Sequence, residues 1–568
     1  MNKFFILFFN CEEKCIIIMI RMKQSNMNKY RFSQYDLKEI NMRLLWQTPE
    51  DRLVLLKDLV KHDSITNTDG EVNFPFYIKQ TLKQLDYFNQ HESHIQFIET
   101  SDHKNAVAAM YRSHVTDETV ILMSHYDTVD TKDFGPFEDL AFDSDALKKA
   151  FTENIDAFDA IHQSDIQSER YLFGRGVMDM KSGLMIHLSI LEKAIHEAWP
   201  INIIVLTVPD EEVNSSGMRS AIVALSDIIE QENLKILLIM NGEPAFSQHP
   251  DDDKYYIYNG SVGKVMPSVF VYGKETHVGE PLNGLSANYL ISRINSEIEY
   301  NTQFIERYKN EETPLPVSLY MKDLKEDYSV QTPFMASSFY NIFLFERSAT
   351  HVFHQFNDII ERTISECVRD LSLVFDELPP INVITYENLV KSMKQKHGAA
   401  MIDDLIATVK QTDDRLYAQS VIKALLLLDN SNDYTVVTYL SAPYYPSVNS
   451  GQDKLIKSIT KYTIKQMKKQ FGRETTKIYY FNGISDLSYV NYMHDDSDAK
   501  VYRENTPGFG IHYDIPFKAM KSLKAPVINI GAFGKDAHQL TERIDIKSVT
   551  EEVPYVLNKI FRKFFIES

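Results

Sequence analysis

The sequence is poor in cysteine, lacks a long hydrophobic run and has no excess of positive charge. It has three cysteines among 568 residues, Cys11, Cys15 and Cys367. They are too few for a disulfide framework, which is typical of a reducing cytosol. Cys11 and Cys15 are expected to be inert, because no further soft metal ligands lie near them. The net charge of −19 disfavours a nucleic-acid partner, since phosphate binding needs a basic face. We therefore expect a cytoplasmic protein.

The N-terminus contains two short apolar runs, Phe4–Phe9 and Ile16–Ile20, separated by charged residues. Both runs are well below the roughly 20 residues that a membrane-spanning helix needs. No small-residue cleavage site follows them, so the segment does not match a signal peptide. We interpret residues 1–27 as a non-core extension, with Met22 or Met27 as alternative starts, and expect no membrane partner.

Length and composition predict a globular protein of several domains. Hydrophobic residues make up 44% and charged residues 24% of the chain, which is enough to build more than one core. Apolar runs of strand length alternate with amphipathic helical segments up to about residue 250. This alternation predicts an α/β fold with a mostly parallel sheet sandwiched by helices. The predicted strands are 119–124, 201–208 and 236–240, and the predicted helices are 181–198 and 218–230.

The pattern changes near residue 263, where VGKVMPSVFVYGKETH alternates like an antiparallel strand. An α+β pattern continues from there to about residue 448, which predicts an inserted lid domain over 263–448. The catalytic domain would then have two parts, 28–262 and 449–568. Further expected elements are helices 287–309, 351–375 and 546–565, and strands SFYNIFLFER, IYYFNGISD and APVINIG.

The first candidate metal ligand is His125, in the stretch ILMSHYDTVD. A histidine after an apolar strand is by itself more often structural. Asp127 changes that interpretation, because a metal-binding histidine usually donates its second ring N–H to a carboxylate. Residues two apart in an extended segment share a face, so Asp127 can orient His125.

Carboxylates follow the next predicted strands. Asp179, in GRGVMDMKSG, lies between a glycine-rich turn and a helix, where it could cap the helix or bridge two cations. Glu211 and Glu212 follow the strand of INIIVLTVPDEE. Adjacent acids at a strand end are often only a solvated turn. They can also divide the work, one binding a metal while the other accepts a proton from water.

Two further candidates complete the set, Glu243 in NGEP and His538 in GKDAHQLTE. Two imidazoles and three carboxylates would then lie at strand ends or in the loops after them. With one carboxylate shared, each of two ions has three protein ligands, the pattern of catalytic rather than structural sites. Mixed nitrogen and oxygen ligands suit zinc, with cobalt or manganese as alternatives. The predicted ligands are His125, Asp179, Glu212, Glu243 and His538.

The five motifs, in this order, resemble the M20 family of metallopeptidases and amidohydrolases. The matching pieces are SHYDTVD, GRGVMDMKSG, PDEEVNSSG, NGEP and GKDAHQLTE, within 28–262 and 449–568. The resemblance implies a zinc-exopeptidase-like catalytic domain with two divalent ions, and a cis peptide after the bridging acid. It implies His125 and Glu243 on one ion, Glu212 and His538 on the other, Asp179 between them, and Glu211 as general base.

The inserted domain resembles the family's lid. GKETHVGEPLNGLSAN matches the segment whose histidine contacts the substrate carbonyl, which implies that role for His277. Arg347, in NIFLFER, matches a lid arginine that binds substrate carboxylates. FNGISDLS departs from the family pattern at Asn482 and Ile484. A large lid makes a monomer possible as well as a homodimer formed through the lid.

The long chain, the large lid and an acidic, aromatic insert over 131–170 most resemble the arginine-utilisation (RocB-like) branch of the family. That resemblance implies a hydrolase that cleaves an amide, peptide or ureido C–N bond of an amino-acid-derived small molecule in arginine catabolism. Two alternatives remain. A non-catalytic binding protein of the same fold would be favoured by a missing ligand or general base, and none is missing. A dimetal phosphoesterase would want more basic residues among the motifs than Arg175 and Lys181.

Overall fold

A computed structural model describes the backbone of residues 2–11 and 14–23, and the full residues 44–249, 252–411, 413–429 and 434–567. The chain divides into two compact units, residues 1–45 and 46–568. In the first, Asn2–Cys11 and Lys14–Lys23 pair as an antiparallel hairpin. The side chains of Cys11 and Cys15 lie outside the described residues, whereas Cys367 is a buried free thiol. Among the described helices, none has the length and apolarity required to span a bilayer.

Two sheets organise the second unit. In chain order their strands are β1 (Ile95–Glu99), β2 (Asn105–Tyr111), β3 (Glu118–His125), β4 (Asn202–Val208), β5 (Lys235–Asn241), β6 (Tyr255–Tyr258), β7 (Gly263–Tyr272), β8 (Val317–Asp323), β9 (Met335–Leu344), β10 (Ile381–Thr385), β11 (Tyr434–Tyr445), β12 (Thr475–Ile478) and β13 (Val527–Asn529).

The larger sheet has eight strands in the order β12-β6-β13-β5-β3-β4-β2-β1. Its centre, β13-β5-β3-β4, is parallel, and antiparallel strands extend it on both sides. Side chains alternate between two buried cores: Ile121 and Met123 face one, and Val120 and Leu122 face the other. Because both faces are covered, the central strands are mostly apolar on both sides. The predicted α/β fold with helices on both faces of a mostly parallel sheet is confirmed.

The second sheet has the order β8-β9-β7-β11-β10, with only β10 and β11 parallel. All its strands lie between residues 263 and 445, within the range predicted for the lid. The exact domain boundaries remain predictions.

Helices cover both sheets. Those of eight or more residues are Pro49–Lys61, Asp69–Leu82, Ser144–Glu153, Ala160–Gln167, Lys181–His196, Ser216–Gln231, Ala287–Ile298, Ala349–Leu371, Tyr386–His397, Ala399–Thr408, Asp414–Asp429, Lys454–Phe471, Asp496–Asn505 and Val553–Phe561; shorter helices are Asp86–Gln90 and Phe517–Leu523. The helix Lys181–His196 packs on the Val120 face of the sheet, and Ser216–Gln231 packs on the Ile121 face.

Two sequence predictions of secondary structure are wrong. The helix expected over 287–309 ends at Ile298, because Tyr300 adopts a left-handed conformation and Asn301 caps a separate short turn. The expected strand IYYFNGISD leaves the sheet at its first residue. The N–H groups of Tyr479 and Tyr480 donate to the Glu311 carboxylate instead of to a neighbouring strand.

The insert over 131–170 builds a small core of its own, which includes Phe134, Leu147 and Phe151. It packs beside a four-stranded sheet made of Tyr171–Phe173, Arg543–Asp545, Phe533–Lys535 and Ala245–Phe246. Tyr171–Phe173 leads into the loop of Asp179 and Phe533–Lys535 into the loop of His538, whereas Ala245–Phe246 follows Glu243.

Candidate dinuclear metal centre

His125 is the last residue of β3, and its ring is fully buried. Its Nδ1 lies 3.1 Å from the carbonyl oxygen of Asp127 and 3.4 Å from Oδ1 of the same residue. The Nε2 atom faces the other way, 3.1 Å from Asp179 Oδ1 and 3.6 Å from Glu243 Oε1. A proton on Nδ1 would therefore leave Nε2 free to bind a cation.

Asp127 connects two strand ends as well as orienting the histidine. Its carboxylate accepts hydrogen bonds from the backbone N–H groups of Glu211 at 3.1 Å and Glu212 at 3.3 Å, and from the Thr66 hydroxyl at 2.9 Å. The end of β3 is thereby tied to the acidic turn after β4. Because Asp127 is fully buried, this arrangement fixes the relative positions of His125 and the two glutamates.

Asp179 precedes the helix Lys181–His196, at the end of a tight turn. Gly176 adopts a positive φ of 77°, and the Asp179–Met180 peptide is cis. Glu542, fully buried, accepts hydrogen bonds at Oε1 from the N–H groups of Gly176, Met178 and Asp179. Arg175 Nη1 donates to its other oxygen at 2.7 Å. This ion pair holds the turn that presents the Asp179 carboxylate.

The predicted ligands converge in two groups of three that share Asp179. Asp179 Oδ1 faces His125, whereas its Oδ2 lies 3.3 Å from Nε2 of His538. His538 Nε2 also lies 3.0 Å from Glu212 Oε2. The candidate donor atoms of His125, Asp179 and Glu243 lie within 4.8 Å of one another, and so do those of Asp179, Glu212 and His538.

The local electrostatics reflect a concentration of buried negative charge. Burial raises the pKa of Glu211 and Glu243 well above the ordinary value, and the neighbouring carboxylates raise it further. Burial also raises the pKa of Glu212. Burial disfavours the charged form of His538, but Asp179 and Glu212 outweigh it and raise its pKa to about 11.

The arrangement fits two divalent cations. Within the described part of the chain, the only cationic partners of the four carboxylates are the two histidines. Four buried acids with two imidazoles leave negative charge uncompensated, which is costly in a low-dielectric cavity unless cations offset it. Oxygen and imidazole nitrogen donors in sets of three suit zinc, cobalt or manganese. The four carboxylates are Asp179, Glu211, Glu212 and Glu243.

Glu211 does not belong to either group of three donors. Its Oε2 lies 4.0 Å from His125 Nε2, and its side chain lines the cavity. Asp486 is buried nearby and forms no ion pair with any described residue. Burial raises the pKa of Asp486 to about 7. Glu211 thus lines the cavity beside the two donor groups without belonging to either of them.

A cavity of about 370 Å³ opens onto these groups, within the size range of small-molecule sites. Ile484 lines it, but Asn482 does not. His277 and Arg347 are also absent from its lining. His277 lies in an exposed loop, where its Nδ1 accepts a hydrogen bond from the Gly279 N–H. The Arg347 guanidinium donates to backbone carbonyls, including that of Ile305. Their predicted contact with substrate remains a prediction.

Four residues near the cavity were not anticipated as functional: Glu542, Asp486, Lys264 and Arg415. Glu542 and Asp486 lie inside the quoted motifs GKDAHQLTE and FNGISDLS, so their positions could have signalled a role. Lys264 and Arg415 come from the lid range, and both line the cavity. No pattern in the sequence points to them, because a lone basic residue is usually solvated.

Three comparisons with known proteins bear on this site. The model of "Peptidase family M20/M25/M40" matches residues 121–560. The chain is 35% identical to YqjN, an uncharacterized protein of Bacillus subtilis (strain 168), over 90% of this chain and 96% of that protein. It is 30% identical to Protein RocB of the same organism, over 87% of this chain and 92% of RocB.

A solved structure has the same fold: the M20 family metallo-carboxypeptidase Sso-CP2 from Sulfolobus solfataricus. It matches with a TM-score of 0.50 and 13% sequence identity, over 90% of this chain and 98% of that chain. The family match covers both ends of the predicted ligand set, from His125 to His538. The chain therefore belongs to peptidase family M20/M25/M40, in its RocB-like branch, and is a metal-dependent hydrolase.

Proposed function

We propose that this protein hydrolyses an amide, peptide or ureido C–N bond of a small amino-acid-derived substrate at a dinuclear centre. The observation that carries the proposal is the convergence of two donor groups on Asp179, with Glu211 beside them. His125, Asp179 and Glu243 would hold one ion, and Asp179, Glu212 and His538 the other. Two such ions would supply Lewis acidity and would lower the pKa of water to near 7.

Glu211 is the proposed general base. Its carboxylate lines the cavity, and burial raises its pKa well above the ordinary value for a glutamate. It would take the proton of the attacking water and then deliver it to the departing nitrogen, which leaves Glu211 ionised again. Such proton transfer is efficient when the pKa of the base lies near the working pH.

Asp127 serves the reaction without contacting the substrate. It accepts hydrogen bonds from the N–H groups of Glu211 and Glu212. These bonds fix the position of the proposed base, Glu211, relative to the proposed ligand, Glu212. By accepting from His125, Asp127 fixes the ring orientation. A displacement of about 1 Å in such a constellation can cost roughly 100-fold in rate.

The proposed substrate class is inferred from the size of the cavity and from the resemblance to the arginine-utilisation branch. A cavity of about 370 Å³ suits an acylated or carbamoylated amino acid or a dipeptide. We propose that the natural substrate derives from arginine metabolism, that zinc is the ion in the cell, and that the protein works in the cytoplasm.

The test is a substrate panel with purified, zinc-loaded protein. It contains N-acyl amino acids, carbamoyl amino acids including citrulline, and dipeptides, with p-nitrophenyl phosphate as the phosphoesterase control. The proposal predicts that the wild-type protein releases a free amine or ammonia from one of the first three classes and that Glu211→Gln does not. Turnover of the phosphate ester alone would contradict it.

A further inference from the structure

The cavity that contains the proposed metal ligands is also lined by two cations. Lys264 and Arg415 line it together with the acidic groups Asp179, Glu211 and Glu243. The rest of the lining is largely apolar or aromatic, and includes Val213, Phe246, Pro443, Phe481 and Ile484. A ligand that fills this cavity therefore meets both the acidic centre and two cations.

Lys264 is the more unusual of the two cations. No carboxylate among the described residues forms an ion pair with its ammonium group, and the side chain is largely buried. Burial, and then the nearby Arg415, lower the pKa of Lys264 to about 8. Removing an ammonium group from water without a counter-ion is costly. An anionic ligand would supply the missing partner.

The backbone fixes the position of Lys264. It is the second residue of β7 and pairs in register with Phe343 on one side and Tyr445 on the other. The pairing with β11 shifts between Lys264 and Met266, and irregularities of this kind re-aim side chains next to functional sites. Tyr445 is also part of the cavity wall, and its hydroxyl accepts a hydrogen bond from Ser215.

Arg415 is held in place by its own helix start. Asp413 accepts hydrogen bonds from the N–H groups of Arg415 and Leu416, and the same carboxylate pairs with Nε and Nη2 of Arg415. Nη1 has no acceptor among the described residues. The guanidinium is thus oriented, with one edge available to a ligand. Preorganisation of this kind lowers the entropy lost on binding.

We propose that Lys264 and Arg415 together bind a carboxylate of the substrate while its scissile carbonyl lies beside the acidic groups of the same cavity. This specificity role rests on the proposed hydrolase function. It is separate from the role that the family resemblance gives to Arg347, whose guanidinium is bonded to the carbonyl oxygens of Gln303 and Ile305. The carboxylate could belong to the amino-acid part of the substrate or to a dicarboxylic acyl group.

The experiment uses substrates that differ only in charge. To test a carboxylate on the amino-acid part of the substrate, each N-acetyl amino acid is paired with its C-terminal amide. To test a carboxylate on the acyl group, an N-succinyl amino-acid amide is paired with the same compound in which the succinyl carboxylate is replaced by a carboxamide. The variants are Lys264→Met, Arg415→Gln and the charge-conserving Lys264→Arg, with Lys322→Met, on the exposed strand β8, as matched control. Circular dichroism melting confirms that each variant is folded.

In the wild type, we expect one carboxylate substrate to be preferred over its neutral partner. Lys264→Met and Arg415→Gln should each raise KM for it by about 10–100-fold, the range for losing a charge-assisted hydrogen bond. Turnover of the neutral partner and the bound metal should stay unchanged, and Lys264→Arg should restore part of the preference. The pair that shows the effect identifies the source of the carboxylate. Equal KM values in wild type and Lys264→Met would overturn the inference.

A binding measurement separates this inference from the proposed hydrolysis. Calorimetric titration of zinc-loaded protein compares N-acetylglycine with N-acetylglycinamide, and N-succinylglycinamide with its succinamide analogue, whether or not any of them is hydrolysed. Tighter binding of the carboxylate in one pair, lost in Lys264→Met and kept in Lys322→Met, supports the site even if the panel shows no turnover. Equal affinity within both pairs overturns it, even if hydrolysis is found.

Discussion

The Oδ1 atom of Asp127 lies 3.4 Å from Nδ1 of His125, on the side of the ring opposite the cavity. The ring is buried, so its orientation is set by these contacts and by the packing around it. The other ring nitrogen, Nε2, is thereby directed at the carboxylates that we propose to share an ion with it.

Asp127→Ala should therefore weaken metal binding about 10–100-fold, as expected when a carboxylate behind a metal-binding histidine is removed. Competition with a chromophoric chelator measures the affinity. Asp130→Ala is the control, because Asp130 lies in the same stretch but its side chain pairs with Lys132 near the surface. Unchanged affinity in Asp127→Ala would argue against its proposed role.

Glu211→Gln keeps the size of the side chain and removes its basicity. Because Glu211 lies outside both donor groups, both ions should stay bound while turnover falls about 10²–10⁴-fold, the usual contribution of a general base. Elemental analysis and steady-state kinetics on the same sample measure the two effects. Glu212→Gln should instead reduce the bound metal. Retained activity in Glu211→Gln would refute the assignment of the base.

Glu542→Ala should destabilise the fold at the turn before Asp179. The change leaves three backbone N–H groups and the Nη1 group of Arg175 without their acceptor. Each buried group left unsatisfied costs about 1–3 kcal/mol, so urea unfolding should show a loss of at least that size, with weaker metal binding. Glu551→Gln, at an exposed neighbouring position, should have no such effect. Equal unfolding midpoints for wild type and Glu542→Ala would contradict the role.

The preference for a carboxylate substrate should depend on pH through Lys264. With a pKa of about 8 in the free protein, Lys264 is charged below that pH and neutral above it. The kcat/KM for the carboxylate substrate should then fall as pH rises through about 8, while that of the neutral partner should not. The difference between the paired substrates isolates Lys264 from the other titratable cavity groups: Arg415, Tyr445, His538, Asp179, Glu211, Glu212 and Glu243. Parallel profiles for the two substrates would contradict this prediction.

The sequence predicted the sheet, and the residues that it singled out at strand ends lie close together in the structure, for a physical reason. Buried parallel strands are apolar along their whole length, so an acid or histidine at their end, such as His125 or Glu243, stands out. The lid was harder to predict. The predicted helix 287–309 is too long because the helical periodicity of the sequence continues past Ile298. In the structure, Asn301 caps a separate short turn instead.

Contacts between distant segments could not be predicted from patterns. Glu542 acts on a turn more than 360 residues earlier in the chain, and nothing in its neighbourhood signals that target. Lys264 and Arg415 line the same cavity as Asp179 and His538, although they are far from both in the sequence. A single basic residue on a strand or at a helix start produces no periodic pattern in the sequence. Its role can therefore be recognised only from the tertiary structure.

The central claim is that two ions share Asp179, and metal stoichiometry tests it most directly. Elemental analysis of zinc-reconstituted, gel-filtered protein should give two ions per chain for the wild type and for Glu211→Gln. Asp179→Ala should lose both, because both donor groups contain Asp179. A wild-type chain that binds no divalent ion, or an Asp179→Ala variant that keeps two, would contradict the account.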